Sequence, residues 1–217
     1  RYFRRTIEKA VKQIYGAERK LLNSEREIFI KHPKRAIERF PKERIKNIYR
    51  VIINLGEGVR FYPFNQETKD EKFITLLDKE AFQTIVQELD TIPDFLEYLR
   101  KREELFTGKT VTILPGDEDD FPADTANQFF EHAQQHFNPK EKQSILISGT
   151  EHDILAHYLK NERTFPDYFQ SKEYNGMFVQ LDGNWSDFNE RKQVKTKREL
   201  DKNSYFLDDL VKYNLPN

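Results

Sequence analysis

Four short runs rich in β-branched and large apolar residues, at 48–55, 73–77, 111–114 and 144–148, alternate with longer segments of helical period. Strands separated by helices pair most readily in parallel. The pattern therefore predicts an α/β fold, helix-rich, with a small mixed or partly parallel sheet flanked by helices. The run at 48–55, Ile-Tyr-Arg-Val-Ile-Ile-Asn-Leu, is the most nearly continuous. It predicts a central buried strand, with Val51 and Ile53 on one covered face and Ile52 on the other.

Helices are expected where apolar residues recur every three or four positions. Ile7, Ala10, Val11, Ile14, Leu21 and their neighbours place one over 3–22, with Lys and Arg on its other face. Others are predicted over 78–90, capped by Asp78, over 94–106, behind Pro93, and over 125–137, 151–161 and 198–213. Ser24 followed by Glu27 has the spacing of a capping box and predicts a second helical piece there. Met177 to Leu181, between Asn175-Gly176 and Asp182-Gly183, reads as a further strand. Residues 115–124, with two Pro, one Gly and the acidic run Asp117 to Asp120, read as a solvated linker. They would separate a basic helix plus α/β core (1–114) from a helix-rich second part (125–217), a possible second lobe after residue 120.

The chain has no Cys, which excludes disulfides and thiolate zinc sites and fits a reducing, cytoplasmic setting. No stretch approaches 18 apolar residues, so no membrane partner is expected. The start at Arg1 rather than Met suggests a processed or shortened protein.

Net charge is −1, but its distribution is uneven. Residues 1–50 hold 16 Lys or Arg against 6 Asp or Glu, a net of +10, and the remainder carries −11. Such asymmetry has two readings: a face for nucleic acid, or a basic segment docked on an acidic body. Under the first, Arg4, Arg5, Lys12 and Arg19 are the nucleic-acid-binding residues.

The first helix carries Lys9-Ala10-x-x-Gln13-Ile14-x-Gly16-Ala17-x-Arg19. This resembles the helix that follows the catalytic strand in restriction-endonuclease-like nucleases. The resemblance implies that the helix packs across the central sheet and that a strand comes next, as 48–55 does in order. It also implies that the acidic metal ligands and catalytic Lys of that family precede Arg1, so no catalytic residue is assigned.

Other constellations are weaker. His132 and His136 are four apart and His157 follows on the next predicted helix, with Glu131 and Asp153 nearby. They are read as boundary residues rather than metal ligands, and no metal is assigned. Asp167 with Glu190 and Lys192 matches a nuclease-like spacing, but the polar surroundings of Glu190 do not suit a buried strand. Thr107-Gly108-Lys109-Thr110 lacks the first Gly of a phosphate loop, and Gly56-Glu57-Gly58 lacks the third Gly of a dinucleotide loop. Ser148-Gly149-Thr150 lacks the glycines of a nucleophile elbow. Two functions stay open: a nucleic-acid-linked protein, the body of a restriction-endonuclease-like nuclease, or a non-catalytic protein-interaction or regulatory module. Enzymatic activity, cofactor and protein partner are left unassigned.

Overall fold

A computed structural model describes residues 2–23, 25, 27–55, 65–67, 72–114, 143–166, 169 and 176–202. In chain order these form α1 (Tyr2–Leu22), β1 (Phe29–Ile30), β2 (Glu38–Arg39), a 3-10 turn at Lys42–Arg44, β3 (Val51–Asn54), β4 (Asn65–Glu67) and β5 (Phe73–Asp78). There follow α2 (Lys79–Glu88), α3 (Ile92–Phe106), β6 (Lys109–Leu114), β7 (Gln143–Ser148), α4 (Glu151–Lys160), β8 (Gly176–Gln180) and α5 (Asn184–Glu190). Residues 192–202 are helical again. The fold is mixed α/β, as the alternation of runs predicts. The predicted linker at 115–124 and the helix at 125–137 lie outside the described residues, as does 203–213 of the last predicted helix.

β3 pairs in parallel with β5, and β4 pairs antiparallel on the other side of β5. β6, β7 and β8 form a second sheet, all parallel, with β7 in the middle. In the first of these sheets, β5 is covered on both faces. Ile74 and Leu76 point toward α1 and pack with Ile7, Val11, Ile14 and Ile52. Phe73 and Leu77, of opposite parity, enter the main core. That core also takes Ile85 from α2 and Leu89 at its C-cap, Tyr98, Leu105 and Phe106 from α3, Val111 from β6, Ile145 and Ile147 from β7, and Ile154, Leu155 and Tyr158 from α4. Chain on both sides of 115–124 thus contributes to one sheet and one core.

Two expectations are corrected. The run at 48–55 is not a central strand: β3 has only β5 beside it among the described residues, and Val51 to Asn54 are half-buried. Val51 does face the main core and Ile52 the α1 side, as their parity requires. The helical piece expected after Ser24 does not form. Residue 24 lies outside the described residues, and Phe29–Ile30 instead pairs antiparallel with Glu38–Arg39. Two β-favouring residues before a Pro33-containing turn outweigh a capping-box spacing with no apolar helical face behind it.

Helix ends follow their predicted signals. The Asp78 carboxylate accepts from Ala81 N at 2.7 Å to open α2, and Thr91 Oγ1 accepts from Asp94 N at 3.2 Å to open α3. Glu190 ends the short helix α5 and pairs with Lys195 at 2.5 Å, so it lies on no strand. Asp167 is outside the described residues. Thr107-Gly108 makes the tight turn from α3 into β6, with Gly108 at φ 74°. No helix among the described residues is long and apolar enough to cross a membrane.

This packing orders the cost of truncation. Ile74→Ala on β5, whose side chain is wholly covered, is expected to cost about 2–5 kcal/mol. Ile52→Ala on half-buried β3 is expected to cost less than half as much. Urea denaturation of both variants checks the order, and an equal or larger loss at Ile52 would return β3 to the centre of the sheet.

Candidate nucleic-acid interface

The inward stripe of α1 is Ile7, Val11 and Ile14, and it continues one turn on with an acid, Glu18. Only 6 % of Glu18 is exposed. Arg50 Nε donates to its Oε2 at 2.7 Å and Arg50 Nη2 to its Oε1 at 2.8 Å, a two-pronged guanidinium–carboxylate contact. Lys72 Nζ donates to the same Oε1 at 2.6 Å. Arg50 immediately precedes β3 and Lys72 immediately precedes β5, so the cluster sits where the two parallel strands begin. The hydrogen bond from Arg50, with Lys72 beside it, holds the Glu18 carboxyl at about 2 although burial pushes it the other way.

Where the helix meets the body, then, the acid belongs to the basic segment and a cation, Lys72, to the body. Arg50 of the basic segment also lies within electrostatic reach of Glu103 on α3. The cations of α1 face water: Lys9, Lys12, Arg19 and Lys20 are all exposed, and none of them pairs with a carboxylate among the described residues. Lys12 and Arg19 are brought onto one face, seven residues apart. Arg4 and Arg5 lie in the first turns of the same helix, and their side chains lie outside the described residues. Gln13 is exposed beside Lys12, while Ala10, Ile14 and Gly16 are half-buried.

The basic surface continues beyond the helix. Lys31, Lys34, Arg35, Arg39, Arg44 and Lys46 are exposed. Arg39 is engaged locally, by Glu27 at 3.4 Å and Glu43 at 3.8 Å. Lys42 Nζ donates to the carbonyl of Asn23 at 2.7 Å and so fastens this stretch to the end of α1.

Open α/β sheets carry ligands at the C-terminal edge of their parallel strands, which here is the edge of β6, β7 and β8. Here the polar groups bind one another. Ser148 Oγ donates to the Asp182 carboxylate. Asp153 Oδ2 accepts from Thr150 N and Oγ1, both at 2.8 Å, and its Oδ1 accepts from Trp185 N at 2.9 Å. A Cβ on Gly149, at φ 132°, would come within 3.2 Å of Asp153 Oδ2 and 3.3 Å of Asp182 N, so only glycine fits this bracket. The bracket joins β7, α4 and the turn before α5. Beneath it, Glu151 is buried with Arg102: Arg102 Nε and Nη2 donate to its two oxygens at 3.1 and 3.3 Å, and Tyr98 Oη donates to Oε1 at 2.9 Å. Burial raises the Glu151 carboxyl and Arg102 opposes that rise. This buried pair is read as structural.

The histidines are dispersed. His132 and His136, with Glu131, lie outside the described residues. The His157 ring lies against Phe169, centroids 5.8 Å apart, and burial lowers its basicity. His152 Nε2 and Thr84 Oγ1 are 2.9 Å apart, with the ring against Trp185. Asp153 is committed to the bracket. No group of three His, Asp or Glu among the described residues could hold a metal ion. Residues 115–120 and 56–58 fall outside the described residues.

Sequence reasoning placed Lys12 and Arg19 on an exposed face but missed the Glu18 cluster. Its partners are 32 and 54 residues away, and no local pattern announces them. No protein-family model matches the chain, and neither a curated protein nor a solved structure is similar enough to count as a relative.

The Glu18 cluster makes a pH prediction. A carboxyl that titrates near 4.5 unfolded and at about 2 folded stabilises the fold fully above about 4.5, and the contribution is lost as pH falls through 2. A difference of about two and a half in pKa corresponds to on the order of 3 kcal/mol. Glu18→Gln is therefore expected to lower stability by about that amount at neutral pH, and the gap to the wild type should narrow as pH falls from about 5 toward 2. Urea denaturation across this range tests it; a pH-independent gap would show that charge is not what the cluster contributes.

Proposed function

We propose that the chain binds nucleic acid through residues 1–50, with the solvent face of α1 as the phosphate-contacting element. The observation that supports this reading is the burial of Glu18 under Arg50 and Lys72. It takes one acid of the basic segment out of the solvent face and leaves Lys9, Lys12, Arg19 and Lys20 there without a carboxylate partner among the described residues. Cations kept in water on one helix face release counterions when they meet a phosphate backbone, and that release drives association.

The resemblance to restriction-endonuclease-like nucleases is consistent with the same reading. α1 packs across a sheet through Ile7, Val11 and Ile14, and the next strand of that sheet, β3, follows it in the chain. Packing of this kind is an analogy of fold and assigns no chemistry. Under this proposal the described residues hold and position a nucleic acid, and any cleavage chemistry would need groups beyond them.

Binding should therefore weaken steeply with salt. Four phosphate contacts predict a loss of about 100-fold in affinity between about 50 and 200 mM salt. Reversing Arg4, Arg5, Lys12 and Arg19 together to Glu should abolish binding and leave the far-ultraviolet circular dichroism unchanged. Fluorescence anisotropy with labelled oligonucleotides measures both. Wild-type protein that fails to bind at low salt would favour a protein-interaction module, and unchanged affinity after the reversal would move the contact off α1.

A further inference from the structure

The β1–β2 hairpin is unlike the rest of the described chain because every residue from 29 to 39 is exposed. Three of these are large and apolar: Phe29 is 57 % exposed, Ile30 47 % and Ile37 63 %. A two-stranded ribbon is marginal in water on its own, and exposed apolar side chains mark a surface that meets a partner. Lys31, Lys34 and Arg35 crowd the loop between these apolar residues. The charge of that loop suits a polyanion.

On α1 the same combination recurs. Lys12, Tyr15 and Arg19 follow at i, i+3 and i+7, so the phenol ring stands between two cations on one face. Tyr15 is 40 % exposed. The Lys42–Asn23 hydrogen bond ties the foot of the hairpin to the end of this helix, one turn beyond Arg19. The two elements that each set an exposed ring among cations are therefore joined to one another in the fold.

Resting on the nucleic-acid reading above, we infer that this surface takes single-stranded nucleic acid, with Tyr15 and Phe29 stacking on unpaired bases and the surrounding cations following the backbone. The reason is the kind of side chain present. From 29 to 39 the polar side chains are Lys, Arg, His and one Glu, with no Asn or Gln to pair with an adenine edge. What projects between the cations is ring and aliphatic surface, which meets open base faces in a single strand and only stacked ones in a duplex. Aromatic platforms along a positive track are how unpaired strands are held without sequence preference.

The test uses the full chain and fluorescence anisotropy at about 50 mM salt, comparing labelled oligothymidine of about 20 nucleotides with a duplex of about the same length. The single strand is expected to bind at least about 10-fold tighter. Phe29→Ala and Tyr15→Ala should each weaken it by about 5- to 100-fold, while Phe29→Trp retains binding. The dependence on salt should stay the same in the alanine variants, because no phosphate contact is removed. Both rings are exposed, so circular dichroism should confirm that the variants fold. Duplex binding as tight as single-strand binding, or alanine variants that bind the single strand like the wild type, would overturn this inference and leave the nucleic-acid reading standing. Failure to bind either oligonucleotide would overturn both. So would Phe29-dependent binding to phosphatidylserine-containing vesicles with no oligonucleotide bound, which would assign the hairpin to a lipid surface.

Discussion

Glu18 accepts three hydrogen bonds from Arg50 and Lys72, and this cluster fixes the rotation of α1 about its own axis. An apolar stripe alone defines an inward face only loosely, because neighbouring side chains can trade places over a rotation of some tens of degrees. A buried carboxylate cannot trade, since turning it toward apolar surface would leave an uncompensated charge. With Glu18 pinned at the strand starts, Lys12, Tyr15 and Arg19 must point outward. The functional reading depends on that outward face, so it depends on a contact that never touches a ligand.

The molecule divides its labour between a covered interior and an uncovered edge. β5 anchors the interior: one parity of its side chains meets α1 and the other meets the main core, so it links the helix to the rest of the fold. At the far side, the Ser148–Asp182 contact, the Thr150–Asp153 cap and the Arg102–Glu151–Tyr98 group satisfy polar atoms that burial would otherwise penalise. Those groups have the side chains of chemical sites, yet the hydrogen bonds they make run to other parts of the fold. The exposed hairpin and the outer face of α1 do the opposite, keeping both cations and rings in water.

Much of this fold was legible in the sequence because burial leaves a local period. The runs at 73–77 and 144–148 became β5 and β7, and Asp78 capped α2 as its position required. β3 was misplaced because an apolar run records that a strand is covered and does not record how many neighbours it has. The hairpin was missed because Ser24 and Glu27 satisfy a spacing rule that two β-favouring residues and a proline turn override. The face of Lys12 and Arg19 could be read from periodicity. The partners of Glu18 could not, because a contact across 54 residues is a property of the closed fold.

Hydrogen exchange, read peptide by peptide on the full chain with and without oligothymidine, tests the central claim most directly. The free hairpin should exchange fast, since its few backbone hydrogen bonds are open to water. On binding, exchange should slow across 29–39 and along the α1 peptides that carry Tyr15 and Arg19, with no change in β7 or α4. Protection confined to the edge formed by Ser148, Thr150 and Asp182, with the hairpin and α1 unaltered, would place the binding surface on the opposite part of the fold and contradict the reading of α1 as the interface.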